Sequence, residues 1–370
     1  MTVGDLTKYL EDWAPPGAAW ERDNVGLQIG SRRQKVKNIM LALELNEEVL
    51  KEALQKKCNL IFTHHPFIFN PIKKFDIEND PKAKLFQILF KNDITIYSAH
   101  TNLDYTKDGV SFALAKAIKL RNINFLELEE GNQFKVVVFV PVDNVDKVAE
   151  SIFNAGGGII GEYSNCSFQL YGSGTFKGSE KSNPLVGKKN IFEKVSEVRL
   201  ESLVNLWNLK QVIEAIKKSH PYEEPAYDVY PLKNKNVNYG MGAVGKTGKE
   251  MKEKDFLAQI CKSLKIKTVK YCEGKNKKIK KVAVCGGAGS EYLERAIACG
   301  ADAFITADIK YHTYHDATGR IMLVDAGHYE TEIVSLDTVQ KKIEKLIRPE
   351  MKIKVFKYSG STNPAKFFKL

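Results

Sequence analysis

The chain has 370 residues, of which 43% are hydrophobic and 27% are charged, and its net formal charge is +11. This length allows two or three domains with their own cores, while the lack of any apolar run near the roughly 20 residues that span a bilayer excludes a membrane-spanning helix. No signal peptide is visible and the six cysteines form no C-x-x-C pair, so we expect a cytoplasmic protein with reduced thiols.

The positive charge is concentrated in one segment. Residues 231–281 contain fifteen lysines and four acidic residues, an excess equal to the net charge of the whole chain. No arginine accompanies these lysines, whereas surfaces that bind nucleic acid usually combine arginine with stacking residues. The segment therefore predicts a solvated lysine surface, and a nucleic-acid partner is not expected.

The first third of the chain alternates between predicted strands and helices. Helical spacing of apolar residues indicates a helix over 3–14, and three buried strands are predicted at 36–43, 59–63 and 94–98. Further helices are predicted at 46–57 and 81–92. Such alternation with short connections is typical of an α/β fold with a mostly parallel sheet.

The pattern changes after residue 130. The predicted order becomes strand 134–141, helix 145–154, strands 167–176 and 195–204, helix 209–218 and strand 226–230. This β-α-β-β-α-β order is that of a ferredoxin-like α+β domain. Because the α/β pattern resumes afterwards, we expect three segments: an α/β half over 1–129, an inserted domain over 130–232, and a second α/β half over 233–370.

The second half repeats the first. Ile39–Thr63 and Val282–Thr306 align without a gap, and T-I-Y-S-A-H-T-N-L-D (95–104) aligns with M-L-V-D-A-G-H-Y-E-T-E (322–332) after one insertion. A generic βαβ pattern explains the repeated strands and helices, but it does not explain a His followed four positions later by a carboxylate in both copies. The sequence therefore predicts two related α/β halves packed around a shared site.

Two adjacent histidines follow the strand in N-L-I-F-T-H-H-P (59–66). The carboxyl edge of an open α/β sheet is where such folds place their chemistry. Because neighbouring residues of a strand point to opposite sides, His64 and His65 serve one site only if the backbone turns there; otherwise each serves a different centre. The second option suggests two metal ions.

The histidines and carboxylates together form a candidate set of metal ligands. A lone His is more often a satisfied core or capping residue, but here several lie at or just beyond strand ends with patterned partners. The predicted ligands are His64, His65, His100, Asp104, His328 and Glu332. Nitrogen and oxygen ligands suit zinc, iron, manganese or cobalt rather than calcium or an iron–sulfur cluster. Six ligands exceed the needs of one catalytic ion, so we expect two divalent ions bridged by Asp104, Glu332 and a water that would be the nucleophile.

Local geometry is predicted to differ between the two His-carboxylate pairs. His328 to Glu332 opens a helix, which places both side chains on one face. His100 to Asp104 is expected to be a turn, because Asn102 and Gly109 favour loops.

Two further residues, Asp308 and His312, are predicted to act in catalysis. Asp308 occupies the place of His65 in the repeat, and His312 follows in the same segment, so both would line the pocket as supporting residues or proton shuttles. The run Gly286–Ser290 could cradle a phosphate, although glycine-rich turns are common for steric reasons alone. The run His220–Pro225 could bind a ligand, but a rigid turn is the more usual role for such a sequence.

The motifs, taken in order, resemble those of the dinuclear-metal-centre hexameric proteins, also called GTP cyclohydrolase I type-two homologues or the NIF-three-like family. The similarity is carried by W-E-R-D-N-V-G-L-Q-I-G, T-H-H-P, S-A-H-T-N-L-D, I-K-Y-H and G-H-Y-E-T-E. The inserted segment, with G-E-Y-S-N-C-S-F and S-H-P-Y-E-E-P-A-Y-D, resembles the PII/CutA-like domain of the longer members. In this sequence Glu21 and Arg22 separate Trp20 from Asp23, whereas the family usually has Trp directly before its Asp-Asn.

The resemblance implies the same six metal ligands, a toroidal homohexamer and PII-like inserts near its openings. It also implies a hydrolase, such as a GTP cyclohydrolase, acting on a nucleotide or other phosphorylated small molecule. The alternative is a regulatory or metal-trafficking hexamer in which the PII-like insert senses a ligand.

Overall fold

A computed structural model describes residues 1–366 and 368. The chain folds into two compact units. The main unit contains Met1–Glu127 and the chain from Tyr239 onward, and the inserted unit contains Leu128–Asn238. The predicted insert, 130–232, lies within the second of these units.

The first part of the main unit alternates strands and helices. Its strands are β1 (Gly26–Ile29), β2 (Asn38–Ala42), β3 (Leu60–Thr63), β4 (Thr95–Ser98) and β5 (Arg121–Glu130). Its helices are α1 (Val3–Trp13), α2 (Glu47–Gln55), α3 (Pro81–Lys91), α4 (Thr101–Tyr105) and α5 (Val110–Ala117).

The inserted unit has the β-α-β-β-α-β order expected from the sequence. Its elements are β6 (Gln133–Pro141), α6 (Val145–Asn154), β7 (Ser167–Lys177), β8 (Phe192–Asn205), α7 (Leu206–Ser219) and β9 (Tyr227–Leu232). The four strands form one antiparallel sheet in the order β7-β8-β6-β9. Valines of β6 pack against both helices on one face of this sheet, whereas β7 is largely exposed.

The chain then completes the main unit. The remaining strands are β10 (Lys235–Lys252), β11 (Lys270–Cys272), β12 (Lys278–Ala288), β13 (Ala303–Ala307), β14 (Met322–Asp325) and β15 (Lys354–Lys357). The remaining helices are α8 (Glu253–Leu264), α9 (Leu293–Ala298), α10 (Tyr311–Ala317), α11 (His328–Glu332) and α12 (Ser335–Leu346).

Two sheets organise the main unit, in the orders β1-β4-β3-β2-β15 and β11-β14-β13-β12-β10-β5. In the first sheet β2, β3 and β4 are parallel, and in the second β12, β13 and β14 are parallel. Each parallel set has an antiparallel strand beside its last member, β1 in one case and β11 in the other. The two segments that repeat in sequence thus have the same element order and strand direction.

The last strand, β15, lies in the first sheet, where it pairs in parallel with β2. The expected second half over 233–370 therefore contributes a strand to the sheet of the first. The sequence K-V-F-K is too short to predict the sheet edge at which β15 pairs, because that edge is set by where α12 leads the chain.

Both faces of the central strands are buried, as expected for parallel strands covered by helices. Ile39 and Leu41 pack with α1 and α12 on one face of the first sheet, while Met40 and Ala42 pack with α2 on the other. This alternation follows from the two-residue period of a strand. It fixes the register of β2, and with it the position of the strand ends.

The described helices include none that is both long and apolar enough to cross a membrane. All six cysteines are free thiols, of which Cys58 and Cys285 are buried and the others are half-buried.

Candidate metal centre

The four histidines predicted as ligands lie at the carboxyl ends of parallel strands. His64 and His65 directly follow β3, His100 follows β4, and His328 follows β14 in the second sheet. The carboxyl ends of parallel strands meet at one edge of a sheet. The edges of the two sheets lie close together, as shown by the 5.6 Å separation between the ring centroids of His65 and His328.

His64 and His65 share one site. The backbone bends at both residues, and their ring centroids are 4.9 Å apart. His100 lies within about the same distance of both, with centroid separations of 5.3 Å and 5.2 Å. Of the two options left by the sequence, the turned backbone is the one that the structure shows.

The expected turn from His100 to Asp104 is instead a helix, α4, which begins directly after His100. The sequence-based assignment of Asn102 to a loop was wrong because its amide is satisfied by buried partners. Asn102 accepts a hydrogen bond from the His100 N–H and donates one to the carbonyl of Ala14. The helix places His100 and Asp104 on the same side, as α11 does for His328 and Glu332.

The candidate ligand atoms form two overlapping groups. One group contains His64, His65 and His100, the other contains His65, His328 and Glu332, and within each group the atoms lie within 4.8 Å of one another. Asp104 belongs to neither group, but its Oδ1 atom lies 3.7 Å from Nε2 of His64. The two groups share His65, so the cluster is wide enough to be described as two adjoining sites.

Glu332 lies at the centre of the cluster. Its side chain is only 4% exposed, and its Oε1 atom is 3.0 Å from Nε2 of His328 and 3.7 Å from Nε2 of His64. Its Oε2 atom is 3.2 Å from Nε2 of His65. One carboxylate thus faces three imidazoles from both halves of the main unit.

The outer nitrogen of each imidazole faces an oxygen acceptor. Nδ1 of His65 lies 2.8 Å from Glu44, and Nδ1 of His64 lies 2.8 Å from the carbonyl of Ala99. Such acceptors on the far side of the ring orient metal-binding histidines and raise their basicity.

Carboxylates occupy the same position for the other two histidines. Nδ1 of His100 lies 2.9 Å from Asp23, and Nδ1 of His328 lies 2.6 Å from Asp308. Asp308 therefore contacts a candidate ligand directly. Neither Asp23 nor Glu44 was predicted from the sequence as a site residue, although Asp23 lies in the D-N-V-G-L-Q motif and Glu44 follows the end of β2.

The electrostatics of the cluster favour positive charge between the carboxylates. Burial opposes protonation of His65, but hydrogen bonds to Glu332 and Glu44 raise its pKa to about 10. A hydrogen bond to Glu332 likewise raises the pKa of His328 to about 9, against the effect of burial. Burial favours the neutral acid at Glu332, yet the charge of His64 and the hydrogen bonds from the imidazoles hold the pKa of this carboxyl well below its usual range.

A divalent cation fits this set of donors. Nε2 of His64 and Oε2 of Glu332 are buried, and neither makes a well-aligned hydrogen bond among the described residues, although Oε2 lies 3.2 Å from Nε2 of His65. Buried polar atoms without partners are rare and costly, and a cation between these two atoms would satisfy both. Imidazole and carboxylate donors suit a divalent transition metal.

His312 lies in different surroundings. It is exposed on α10, and its ring lies beside those of Tyr311 and His315, with centroids 5.4 Å and 6.4 Å away. Neither neighbour belongs to the candidate ligand set. A catalytic role for His312 stays a prediction.

The glycine-rich end of β12 lies next to the cluster and is held there by hydrogen bonds. The N–H groups of Gly286 and Gly287 donate to Ser111 and Thr331, and the carbonyl of Gly287 accepts from Thr306. These two N–H groups are therefore not free to cradle a phosphate, and the steric explanation of the glycines is the one that fits.

A cavity of about 770 Å³ opens beside the cluster. Its wall includes His65 and Glu44, together with Lys82 and Lys84 at the beginning of α3. This volume is within the range of small-molecule sites.

Comparison with known proteins agrees with this architecture. Residues 1–364 match the model of the Duf34/NIF3 (NGG1p interacting factor 3) family. The chain belongs to the DUF34/NIF3 family. It is 38% identical over 345 residues to a GTP cyclohydrolase 1 type 2 homolog of Halalkalibacterium halodurans, covering 93% of this chain and 92% of that protein. It is 36% identical over 364 residues to the homolog of Bacillus subtilis, covering 98% and 97%.

A solved structure of the DUF34/NIF3 type extends this similarity to the whole fold. The Bacillus cereus protein related to NIF3 has a TM-score of 0.82 and 37% sequence identity, and it covers 100% of this chain and 99% of its own. The membership in the DUF34/NIF3 family is thus not confined to one of the two units.

Proposed function

We propose that this protein is a metal-dependent hydrolase with two divalent transition-metal ions per chain, acting on a nucleotide or another phosphorylated small molecule. The observation that carries the proposal is the position of Glu332. Its carboxylate is buried between imidazoles of both halves, 3.2 Å from Nε2 of His65 and 3.0 Å from Nε2 of His328.

The two groups of ligand atoms support two ions rather than one. In our proposal the ligands are His64, His65, His100, Asp104, His328 and Glu332. Ions of this class, when bound, polarise an oxygen of the substrate and make a water acidic enough to act as a nucleophile near neutral pH. Zinc, iron, manganese and cobalt remain the candidates.

The protein's own contribution is to hold and neutralise the ligand set. Glu44, Asp23 and Asp308 fix the imidazole rings of His65, His100 and His328 through their Nδ1 atoms, as expected for positioning residues. Asp308 and His312 are proposed to move protons during catalysis, Asp308 from beside His328 and His312 from the neighbouring helix α10.

The substrate class rests on the relatives and on the cavity beside His65. The relatives are named as GTP cyclohydrolase homologs, which supports a nucleotide substrate. The cavity offers Lys82 and Lys84 on its wall, and lysine ammonium groups are usual phosphate partners. We further propose a cytoplasmic homohexamer whose inserted unit is a PII/CutA-like domain over 130–232, between α/β halves at 1–129 and 233–370.

Metal content and turnover test the proposal together. Anaerobically purified wild type is expected to contain about two transition-metal ions per chain by plasma mass spectrometry, and Glu332→Ala one or fewer. Glu330→Ala is the matched control, because it makes the same change two residues earlier on α11, where the side chain contacts Asn363 instead.

Hydrolysis of a panel of nucleotides and phosphorylated metabolites is then measured for wild type and Asp104→Asn. Turnover that disappears in Asp104→Asn but persists in Glu330→Ala supports the hydrolase. Wild type without metal, even after reconstitution, would contradict the whole proposal. Tight, exchangeable metal without turnover would instead support a regulatory or metal-trafficking protein.

A further inference from the structure

The inserted unit has a cavity of its own, unrelated to the metal centre. It has a volume of about 770 Å³. Its wall is formed by residues of β7, by residues 178–185 in the segment that follows β7, and by the turn that precedes β9. Because every lining residue falls between 139 and 226, the cavity belongs to the inserted unit alone. Its size is that of a site for a small organic molecule.

A carboxylate and a phenol define the polar part of the cavity. The side chain of Glu197 folds over β7 at Gly174, where a Cβ atom would lie 2.0 Å from Oε2. The hydroxyl of Tyr222 is buried and faces this carboxylate. Burial and the nearby Glu197 carboxylate raise the pKa of Tyr222 to about 12, so the phenol keeps its proton beside that carboxylate.

The run His220–Pro225 positions this phenol. Nε2 of His220 lies 2.9 Å from the carbonyl of Phe139, and its Nδ1 accepts the N–H of Tyr222 at 3.0 Å. Both ring nitrogens are therefore used to fix the turn, and the ring centroids of His220 and Tyr222 are 5.1 Å apart. The turn is rigid, and it holds the tyrosine at the cavity wall.

Aromatic rings contribute a further part of the wall, beside polar residues that include Lys177, Glu223 and Glu224. Phe139, Phe176 and Tyr222 line the cavity, with the rings of Phe176 and Tyr222 6.2 Å apart. Arg199 also lines it, but its guanidinium is paired with Glu201 at 2.8 Å and lies over the ring of Phe139. The wall therefore offers aromatic faces on which a planar ring can stack, next to the Glu197 carboxylate.

We propose that this cavity binds a planar heteroaromatic molecule whose edge has N–H donors, of the aminopurine class. The Glu197 carboxylate accepts from adjacent ring and amino N–H groups, the Tyr222 hydroxyl bonds the same edge, and the aromatic side chains stack on the ring. Carboxylates are the usual acceptors for amino groups of nucleobases, and stacking on aromatic side chains tolerates any base.

The segment after β7 covers the cavity. Its Asn183 N–H donates to Glu223 at 2.8 Å, and the N–H of Asn190 donates to the carbonyl of Gly178 at 2.7 Å. The first contact ties the segment to the same turn that holds Tyr222, and the second closes the segment on itself, so one ligand would contact both the segment and the turn.

Calorimetric titration of the full-length protein with guanosine tests the proposal. Guanosine is expected to bind with a dissociation constant below about 1 mM. Inosine lacks the exocyclic amino group, so it should bind at least about tenfold more weakly, as should guanosine to Glu197→Gln, because each loses a hydrogen bond to a charged group.

Two glycines of β7 provide a matched pair of variants. Gly174→Ala should abolish binding, because its methyl group takes the place of the Glu197 carboxylate. Gly172→Ala, two residues earlier on the same face, should leave binding intact, since its Cβ would meet only the Glu197 carbonyl at 4.0 Å. Thermal denaturation checks that both variants fold.

The variant Glu332→Ala tests whether guanosine binding depends on the metal centre. Binding of guanosine to Glu332→Ala should equal that of wild type, because the cavity lies wholly within the inserted unit. Absence of guanosine binding to wild type would overturn the proposal. So would equal binding by Glu197→Gln, or loss of binding in Glu332→Ala, which would locate the nucleoside at the metal centre.

Discussion

Gly287 occupies a backbone position that only glycine fits beside the candidate metal ligands. Its φ angle is +64°, and a Cβ atom would lie 2.3 Å from Oε1 of Glu332 and 3.3 Å from Nε2 of His328. Its N–H and carbonyl are both bonded, to Thr331 and Thr306, so the backbone cannot move away cheaply. The glycine therefore sets the position of the central carboxylate.

We predict that Gly287→Ala lowers the metal content by about one ion per chain, because the new methyl group displaces the carboxylate of Glu332. Positive φ alone costs a non-glycine residue about 1–3 kcal/mol, so stability also falls. Gly300→Ala is the control, since Gly300 has φ +73° and nothing within 4 Å of its Cβ position. Plasma mass spectrometry and thermal denaturation distinguish the two effects; full metal content in Gly287→Ala would contradict the steric argument.

Asp23 and Glu44, the carboxylates that position imidazole rings, could not be predicted from the sequence. The cluster of candidate ligands could be predicted because each residue closely follows a strand or repeats at a fixed spacing in both halves. Asp23 contacts His100 across 77 positions of sequence, and Glu44 contacts His65 across 21. Such contacts depend on how loops pack on strand ends, which no local pattern records.

Among the helices and strands, those with apolar residues repeated along one face, or throughout a buried strand, could be predicted from the sequence. The bounds expected for α1 and β4 differ from the observed ones by one residue at one end. α4 was predicted as a turn because its asparagine is a turn former in isolation, whereas the tertiary partners of Asn102 override that preference. β15 was not predicted, because a four-residue strand has too little pattern to be recognised in the sequence.

The turn at His220 makes the inserted unit sensitive to pH. Nδ1 accepts the N–H of Tyr222, so a proton on Nδ1 would break that bond, and burial lowers the pKa of His220 below its ordinary value. In the unfolded chain the imidazole titrates near its ordinary pKa of about 6.5. As the pH falls through this value, the unfolded chain binds a proton that the folded chain does not bind, and the free energy of unfolding therefore decreases.

We therefore predict that the inserted unit is fully stable above about pH 7 and loses stability as the pH falls below about 6.5. Hydrogen exchange of β6 peptides, corrected for the intrinsic pH dependence, measures this loss. His220→Asn should flatten the dependence, since asparagine does not titrate, whereas His315→Asn on exposed α10 should leave it unchanged. A pH dependence that survives in His220→Asn would rule out the imidazole as its source.

At the scale of the whole molecule, the two halves form a site that neither contains alone. His64, His65 and His100 come from the first sheet, and His328 and Glu332 come from the second. The internal repeat made this pairing predictable, because it aligned a His and a carboxylate at the same strand end. Any ion bound there connects the two sheets, so metal removal should lower the melting temperature as expected for loss of a ligand that binds only the folded state.

The protonation of the cluster makes metal binding depend on pH. With pKa values raised to about 10 for His65 and about 9 for His328, both imidazoles are protonated near neutral pH, whereas a metal needs them neutral. Binding must therefore release these protons. The apparent affinity should rise with pH up to about 9, by about tenfold per pH unit for each proton released.

Calorimetric titration of the metal-free protein with zinc, in two buffers of different ionisation enthalpy at neutral pH, counts the protons. We predict that wild type releases at least about two protons and that His328→Ala releases about one fewer, because that variant lacks one of the protonated rings. Glu330→Ala should release the same number as wild type, since its side chain contacts Asn363 rather than an imidazole. Heats that are independent of the buffer would mean that the imidazoles are already neutral in the metal-free protein. The neighbouring carboxylates would then not raise the pKa of these rings as argued above.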